Sequence, residues 1–292
     1  MAIKRDIYQE VTDRIIKAIE EDSTMPWLKP WKDGKTANAA MPYNADTGRA
    51  YAGINVLLLM MEPYQSNGWM TYKQAKKRGA QVMKGETSTQ VTLFKPYKGK
   101  DKVTGEDKAF FIIRGYNVFN VEQIDWTGAN APALPISPLP SDTHFDSLAQ
   151  SVGCDLRIQG NRACYIPSQD QVHMPHHDQF KSTDEYNSTG YHELTHWTGH
   201  TSRMDRQKNF GKRFGDDAYA FEELVAELGS AFLCAQTGVT AELRHDGYIK
   251  NWLKVLKGDN RAIFTASSQA RQANEYIIAA AQGTPAAESI AA

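Results

Sequence analysis

The sequence predicts an α+β protein of two domains, and three observations carry that prediction. The chain has 292 residues, more than the roughly 100–200 of one ordinary domain. The stretch Gly128-Ala-Asn-Ala-Pro-Ala-Leu-Pro-Ile-Ser-Pro-Leu-Pro-Ser-Asp142 holds four prolines. Proline blocks both helix and ladder pairing, so this stretch reads as a semi-rigid linker. In the half that follows, short strands come first and helices after, an α+β order rather than a βαβ alternation. The expected organisation is one domain over 1–127, a linker over 128–142, a second domain over 143–282 and a frayed tail over 283–292.

The first half opens on a helix, because Ile7, Val11, Ile15 and Ile19 recur every four residues, with Ile16 beside them. A second helix is expected over Gly53–Met61 and a third over Thr71–Arg78, with Thr71 as its cap. Strands follow at Gln90–Phe94, Ala109–Arg114 and Tyr116–Asn120, with the polar segment Lys98–Asp107 as a hairpin connection. The second half starts with a helix near Phe145–Val152. Three short strands are expected at Leu156–Gln159, Ala163–Pro167 and Gln171–Met174. Ser182-Thr-Asp-Glu185 fits a capping box and starts a helix running to about Gly199. Further helices are expected at Tyr219–Gln236, Gly247–Lys257 and Arg261–Ala281.

Hydrophobic residues make up 41% of the chain and charged residues 23%, enough for a sizeable core and too apolar for wholesale disorder. The net charge of −1 excludes a uniformly basic DNA-coating protein, yet it hides two unlike halves. Residues 1–130 hold 19 Lys+Arg against 15 Asp+Glu, net +4, and the remainder holds 14 against 19, net −5. The excess is concentrated between residues 70 and 114, with 11 Lys+Arg against 4 Asp+Glu, net +7. Three cysteines, Cys154, Cys164 and Cys234, argue against a disulfide scaffold and for a reducing compartment. The start carries acids and no apolar run of the secretory kind. The longest apolar run, Val56–Met61, is far short of the roughly 20 residues of a membrane span. A soluble, cytoplasmic protein with no membrane partner is expected.

The sharpest chemical signal is His192-Glu193-Leu194-Thr195-His196, an H-E-x-x-H. A helix turns about 100° per residue, so side chains at i and i+4 share a face about 6 Å apart. Two imidazoles there can hold one Zn²⁺ at about 2.0–2.1 Å. Mn or Co can replace Zn, since imidazole–carboxylate sites choose weakly among these ions. Glu193, one residue on, is placed to take a proton from a water that the metal has acidified, the role of a general base in carbonyl hydrolysis. A third ligand is required. A metzincin pattern needs His at position 202, where this chain has Ser202, although Gly199 and His200 are near. The better source is Phe221-Glu-Glu-Leu-Val-Ala-Glu-Leu228, in which Glu223 and Glu227 lie four apart beside an apolar stripe. Its E-x-x-A-E resembles the E-x-x-S/A-D of thermolysin-like peptidases. That resemblance implies Glu223 as the metal ligand and Glu227 as the acid that braces a ligand histidine. Glu replaces Asp at the second position, so the two roles remain exchangeable. In a zincin fold an edge strand pairs with extended peptide, and Ala163–Pro167 or Gln171–Met174 is the candidate edge. His173, His176 and His177 are loop histidines better read as solvated.

In the basic half, aromatic and cationic residues interleave: Trp27-Leu-Lys-Pro-Trp31, Trp69-Met-Thr-Tyr72-Lys73, Phe94-Lys95-Pro-Tyr97-Lys98 and Arg114-Gly-Tyr116. Flat rings that stack bases beside cations that follow phosphates are what single-stranded nucleic acid requires. Trp27, Trp31, Trp69, Tyr72, Lys73, Lys95, Tyr97, Lys98 and Arg114 are the candidate contacts. Trp69 and Phe94 are also the natural core members of the set. Trp27 and Trp31, preceded by Pro26 and Pro30, read as an exposed loop. No element has the make-up of a duplex-reading helix or ribbon.

These motifs also occur in a telling order. Pro26–Trp31, Gly53–Leu59, Trp69–Gln74, Tyr116–Asn120, His192–His200 and Glu222–Phe232 together resemble the ArdC antirestriction family of conjugative plasmids, across nearly the whole chain. The N-terminal segment also resembles one found in plasmid primases. The resemblance implies an N-terminal single-stranded-DNA-binding domain and a C-terminal zincin-like metallopeptidase domain with a short sheet and active-site helices. It further implies a role in shielding incoming plasmid DNA from host restriction during conjugation, with a host protein such as a restriction component as a possible peptidase substrate. The competing reading is a non-catalytic protein that coats single-stranded DNA and uses its metal only as a staple. A closed staple needs a fourth protein ligand, for which His200 and Glu227 are the candidates. A nuclease fits less well, because nuclease sites favour carboxylate-rich Mg²⁺ or two-metal centres.

Overall fold

A computed structural model describes residues 6–22, 26–28, 41–100, 107–132, 144–206, 217–239 and 249–283. Trp31, residues 101–106 of the expected hairpin connection, the expected linker from 133 and the expected tail from 284 lie outside the described residues, and of Tyr97 and Lys98 only the backbone is described. The chain divides into two compact units, residues 1–11 with 42–134, and residues 12–41 with 135–292. The architecture is α+β in two domains. No helix among the described residues is long and apolar enough to cross a membrane.

Helix α1, Ile7–Asp22, begins in the first unit and passes into the second. There Thr12 Oγ1 donates to the Asn260 carbonyl at 2.8 Å, and Lys257 Nζ meets Glu20 at 2.7 Å. Its expected stripe is buried, with Val11, Ile15 and Ile19 all in the core.

The first unit is built on a four-stranded sheet. Its strands are β1 (Tyr43–Asn44), β2 (Gly68–Met70), β4 (Thr89–Lys100) and β5 (Asp107–Asn120), in the order β1-β2-β5-β4. β1 and β2 are parallel and the other pairs antiparallel. A second pair joins β3 (Gln81–Val82) to β6 (Ile124–Asp125). β4 and β5 form one ladder from Thr89↔Val118 to Lys100↔Asp107, longer than the strands expected from sequence. Pro96, Gly99 and the closely spaced lysines of Lys95–Lys100 interrupt the apolar alternation that marks a strand. Helix α2, Ile54–Met60, is apolar except for Asn55 and packs on β4; its cap Gly53 adopts φ 56°, which suits glycine. Asn55 on α2 closes the outer edge of β4 by accepting from Thr92 N–H at 2.7 Å and donating to the Thr92 carbonyl at 2.8 Å. Helix α3, Tyr72–Lys77, is fixed by a reciprocal capping box between Thr71 and Gln74.

The second unit carries α4 (Phe145–Ser151) and a three-stranded sheet of β7 (Asp155–Ile158), β8 (Cys164–Ile166) and β9 (Gln171–Met174). The order is β7-β9-β8, with β7 parallel and β8 antiparallel to β9. Of the two candidate edge strands, the one around Cys164–Ile166 is an edge. Gln171–Met174 is central instead, because it pairs with β7 on one side and β8 on the other, and its Val172 and Met174 are fully buried in the core. Helices α5 (Thr183–Thr198), α6 (Asp217–Thr237), α7 (Ile249–Gly258) and α8 (Ala262–Ala281) complete the unit. α6 packs against α5, α7 and α8. The core between sheet and helices includes Phe145, Leu148, Tyr191, Leu194, Trp197, Leu233 and Ile277.

Candidate metal centre

α5 starts where Ser182 Oγ accepts from Glu185 N–H at 3.0 Å, while the Glu185 carboxylate accepts from Lys181 N–H at 2.7 Å. The box expected from sequence is thus half formed, with its return bond one residue early. Asp184 and Glu185 in the first turn suit the positive end of the helix. Three turns on, α5 meets α6 closely. A Cβ built on Gly229 would overlap the Thr195 side chain, so glycine is what lets the two backbones approach.

That approach brings His192, His196 and Glu223 together. The two histidine Nε2 atoms are 3.1 Å apart. Glu223 Oε2 lies 3.5 Å from His192 Nε2, and its Oε1 lies 3.5 Å from His196 Nε2. Ligand atoms held about 2.0–2.1 Å from one tetrahedral ion stand about 3.3–3.4 Å apart, so the triangle has the size of a metal site. These three residues are the group whose ligand atoms converge within 4.8 Å among the described residues. All three are largely buried, and two imidazoles with one carboxylate form a donor set suited to zinc or to another divalent first-row ion. The residues present fit the ion that the motif implies.

The far sides of the imidazoles are also occupied. His192 Nδ1 faces Glu227 Oε2 at 3.8 Å, and His196 Nδ1 faces Glu222 Oε1 at 3.4 Å. Glu222 and Glu227 are 1% and 0% exposed. Arg206 reaches Glu222 at 3.1 Å. Burial works against charge on the imidazoles, but the carboxylates outweigh it: Glu223 and Glu227 hold His192 well above its ordinary value, and Glu222 and Glu223 push His196 up to about 9. Burial likewise opposes charge on Glu223, yet the two imidazoles bring its carboxyl well below the usual carboxylate range.

Glu193 sits on the same helix but joins the neighbouring strand: its Oε2 accepts from Tyr165 N–H on β8 at 2.7 Å. That edge strand is pinned at its turn. Tyr165 Oη donates to Asp170 at 3.0 Å, and Asp170, at φ 54°, is clasped by Arg203. Burial opposes charge on the Asp170 carboxyl, but the Arg203 and Tyr165 hydrogen bonds bring it below its usual value. Arg203 also lies over the Trp197 ring, 3.6 Å from its centroid, and donates to the Trp197 carbonyl at 2.8 Å.

Among the described residues, the other histidines stand apart from the triangle. His200 pairs with Ser202 at 2.7 Å and lies 4.0 Å from Asp170. His173 contacts Gln159 and Gln171, and His177 packs on Tyr186 at 4.9 Å between centroids. The cysteines are free thiols. Glu222 and Arg206, which contact the back of His196 and each other, are residues that the sequence reading misses. Glu222 falls outside the E-x-x-A-E register, and no periodicity marks a loop residue such as Arg206. The adjacent pair Glu222-Glu223 on a mostly apolar helix is the available signal.

The candidate DNA contacts separate by burial. Trp69 is 2% and Trp27 3% exposed. Trp27 lies in the 3-10 turn Pro26–Leu28, where it and Pro26 are both buried, which corrects the expectation of an exposed loop: a large aromatic ring is stabilised by leaving water, and a neighbouring proline does not prevent it. Neither ring presents a face for stacking in this conformation. Tyr72 and Phe94 are 43% and 41% exposed, and Lys73, Lys95 and Arg114 are exposed. Register pairs Leu93 with Arg114 and Lys95 with Ile112, so two cations and two exposed aliphatic residues share one face of the β4–β5 ribbon.

Residues 143–269 match the zincin-like metallopeptidase family, and residues 5–119 match the N-terminal domain of the anti-restriction factor ArdC. Two Escherichia coli proteins called DNA primase TraC are 34% and 33% identical over 96% and 95% of the chain. The chain spans only 20% and 27% of their length. An uncharacterized Sinorhizobium fredii protein, y4eC, is 37% identical over 93% of the chain and 91% of its own length. Among solved structures, the metal-free antirestriction protein ArdC of plasmid R388 superposes with a TM-score of 0.80 at 40% identity, covering 96% of this chain and 99% of that one. Its Mn(II)-bound form gives 0.76 at 38% identity, covering 95% and 98%. The chain belongs to the ArdC antirestriction family, with an ArdC N-terminal domain joined to a zincin-like metallopeptidase domain.

Proposed function

We propose that this chain binds incoming single-stranded plasmid DNA and carries a zinc-type peptidase site, and that it protects the DNA from host restriction during conjugation in the cytoplasm of donor and recipient cells. The observation that carries the catalytic reading is that three ligands, and no fourth, converge among the described residues. His192, His196 and Glu223 converge, while Glu227 lies on the Nδ1 side of His192 and His200 is paired with Ser202. Three protein ligands are the pattern of a catalytic zinc, and four that of a structural one.

A bound ion of this kind supplies Lewis-acid polarisation of a carbonyl and acidifies a coordinated water toward a pKa of about 7. His192 and His196 hold their Nε2 atoms toward the ion. Glu193 keeps Oε2 on the Tyr165 N–H, and its other oxygen takes the proton as water attacks a peptide carbonyl. The β8 edge offers backbone groups for an extended peptide. Zinc is the proposed ion. The Mn(II) bound by the R388 protein supports an exchangeable site, with Co a further substitute.

The DNA reading rests on the family and on the first unit's surface. Tyr72 and Phe94 supply stacking faces, and Lys73, Lys95 and Arg114 supply phosphate contacts, with Tyr97, Lys98 and Trp31 retained as candidates. Primase activity belongs to the longer TraC proteins and is not proposed for this chain.

The test is transfer of a plasmid bearing restriction sites into restricting and non-restricting recipients, with wild-type protein or Glu193→Gln. The substitution keeps the ligands and removes the base. Loss of protection with metal retained supports the peptidase reading. Full protection by Glu193→Gln supports the DNA-coating reading instead.

A further inference from the structure

We infer that Glu222 and Arg206 form a positioning arm that fixes the tautomer and orientation of His196 for the metal. The inference rests on the divalent-metal reading of the site. Its observation is a closed loop of contacts between two helices. Arg206 Nη2 donates to the Thr195 carbonyl at 2.7 Å, and Nη1 donates to Thr198 Oγ1 at 3.1 Å. These partners flank His196 on α5. The same guanidinium grips the Glu222 carboxylate on α6 through Nε at 3.2 Å and Nη2 at 3.1 Å. Glu222 in turn faces His196 Nδ1 at 3.4 Å.

A carboxylate at Nδ1 accepts that nitrogen's proton and leaves the lone pair on Nε2. Nε2 is the atom that meets His192 and Glu223. Glu222 cannot do this alone at 1% exposure, because a buried carboxylate without a countercharge is costly. Arg206, itself 4% exposed, provides the countercharge and ties it to the histidine's own helix. Glu222 and Arg206 lie on the Nδ1 side of His196, outside the His192–His196–Glu223 triangle, so they act through His196.

A merely structural ion pair would hold α5 and α6 together and leave metal affinity unchanged. The full-length chain is therefore titrated with Zn²⁺ against a competing chelator, well below the melting temperature. Glu222→Gln tests the arm directly. Glu222→Met combined with Arg206→Met removes both charges and preserves volume, a replacement that buried ion pairs commonly tolerate. The folded double variant should bind Zn²⁺ about 10–100-fold more weakly than wild type. Wild-type affinity in that variant overturns the proposal.

¹⁵N-histidine NMR of the Zn²⁺-loaded wild type adds a readout that no folding defect can disturb. His196 should coordinate through Nε2 and retain an exchange-protected Nδ1 proton, and coordination through Nδ1 overturns the proposal. If the wild type itself binds no Zn²⁺, the metal reading fails and this proposal with it. Tight binding by wild type and double variant alike defeats the proposal alone.

Discussion

The Nε2 atoms of His192 and His196 stand 3.1 Å apart across one turn of α5, and the opposite nitrogen of each ring faces a buried carboxylate. Two neighbouring imidazoles are therefore oriented from behind, and Glu223 approaches from the front. The arrangement assigns different consequences to three acids on one helix.

Glu223→Ala should cost more metal affinity than Glu227→Ala. Removing Glu223 takes away one of three converging ligands, whereas removing Glu227 takes away a brace, a change that typically costs about 10–100-fold. Titration of both variants with Zn²⁺ under chelator competition checks this. A filled site in Glu223→Ala beside an empty one in Glu227→Ala would reverse the two roles.

The ion-free protein should lose stability as pH rises from about 6.5 to about 9. His196 is held up to about 9 by Glu222 and Glu223 against the opposing effect of burial. Such a raised pKa contributes stability that is complete below the unfolded value of about 6.5 and lost through the folded value. Glu223, held below its usual range, contributes in the opposite sense: its share is present above about 4.5 and lost as acid is added. Metal affinity should rise over the same alkaline interval, because the imidazoles must shed protons to bind. Melting curves with chelator and with Zn²⁺, at several pH values, should diverge as pH rises. Parallel curves would contradict the charge assignment.

DNA binding by the full chain should separate stacking from charge. Tyr72→Ala should weaken single-strand binding by about 1–3 kcal/mol if one base stacks there, without changing its salt dependence. Replacing Lys73, Lys95 or Arg114 by Gln should flatten the slope of log affinity against log salt by about 0.7 for each phosphate left without its cation. Trp69→Ala should instead act on the fold, destabilising it by about 3–5 kcal/mol, because its ring is buried in the core. Fluorescence anisotropy over a salt series, alongside denaturant unfolding, distinguishes these outcomes. Equal affinity for single strand and duplex would count against the reading.

The metal-bearing helices are legible in the sequence because their information is local. Four-residue spacing puts His192 beside His196, and a long apolar stripe announces α6. Glu222 and Arg206 are not legible, since their roles arise only when a loop folds back between two helices. Burial of Trp27 escapes for a related reason: flanking prolines report backbone geometry and say nothing of what covers the ring. Strand order escapes too, because β8 and β9 are both short, and only the parallel partner β7 makes Gln171–Met174 central. The lengths of β4 and β5 are hidden because Pro96, Gly99 and closely spaced lysines break the apolar alternation toward their paired ends.

The central claim is that His192, His196 and Glu223 together hold one divalent ion. Anomalous diffraction at the zinc edge from crystals of the Zn²⁺-loaded wild-type chain tests it most directly. The account predicts one strong peak about 2.0–2.2 Å from a nitrogen of each histidine and from a Glu223 oxygen. A peak elsewhere, or none at these three residues in crystals that bind zinc, would contradict it.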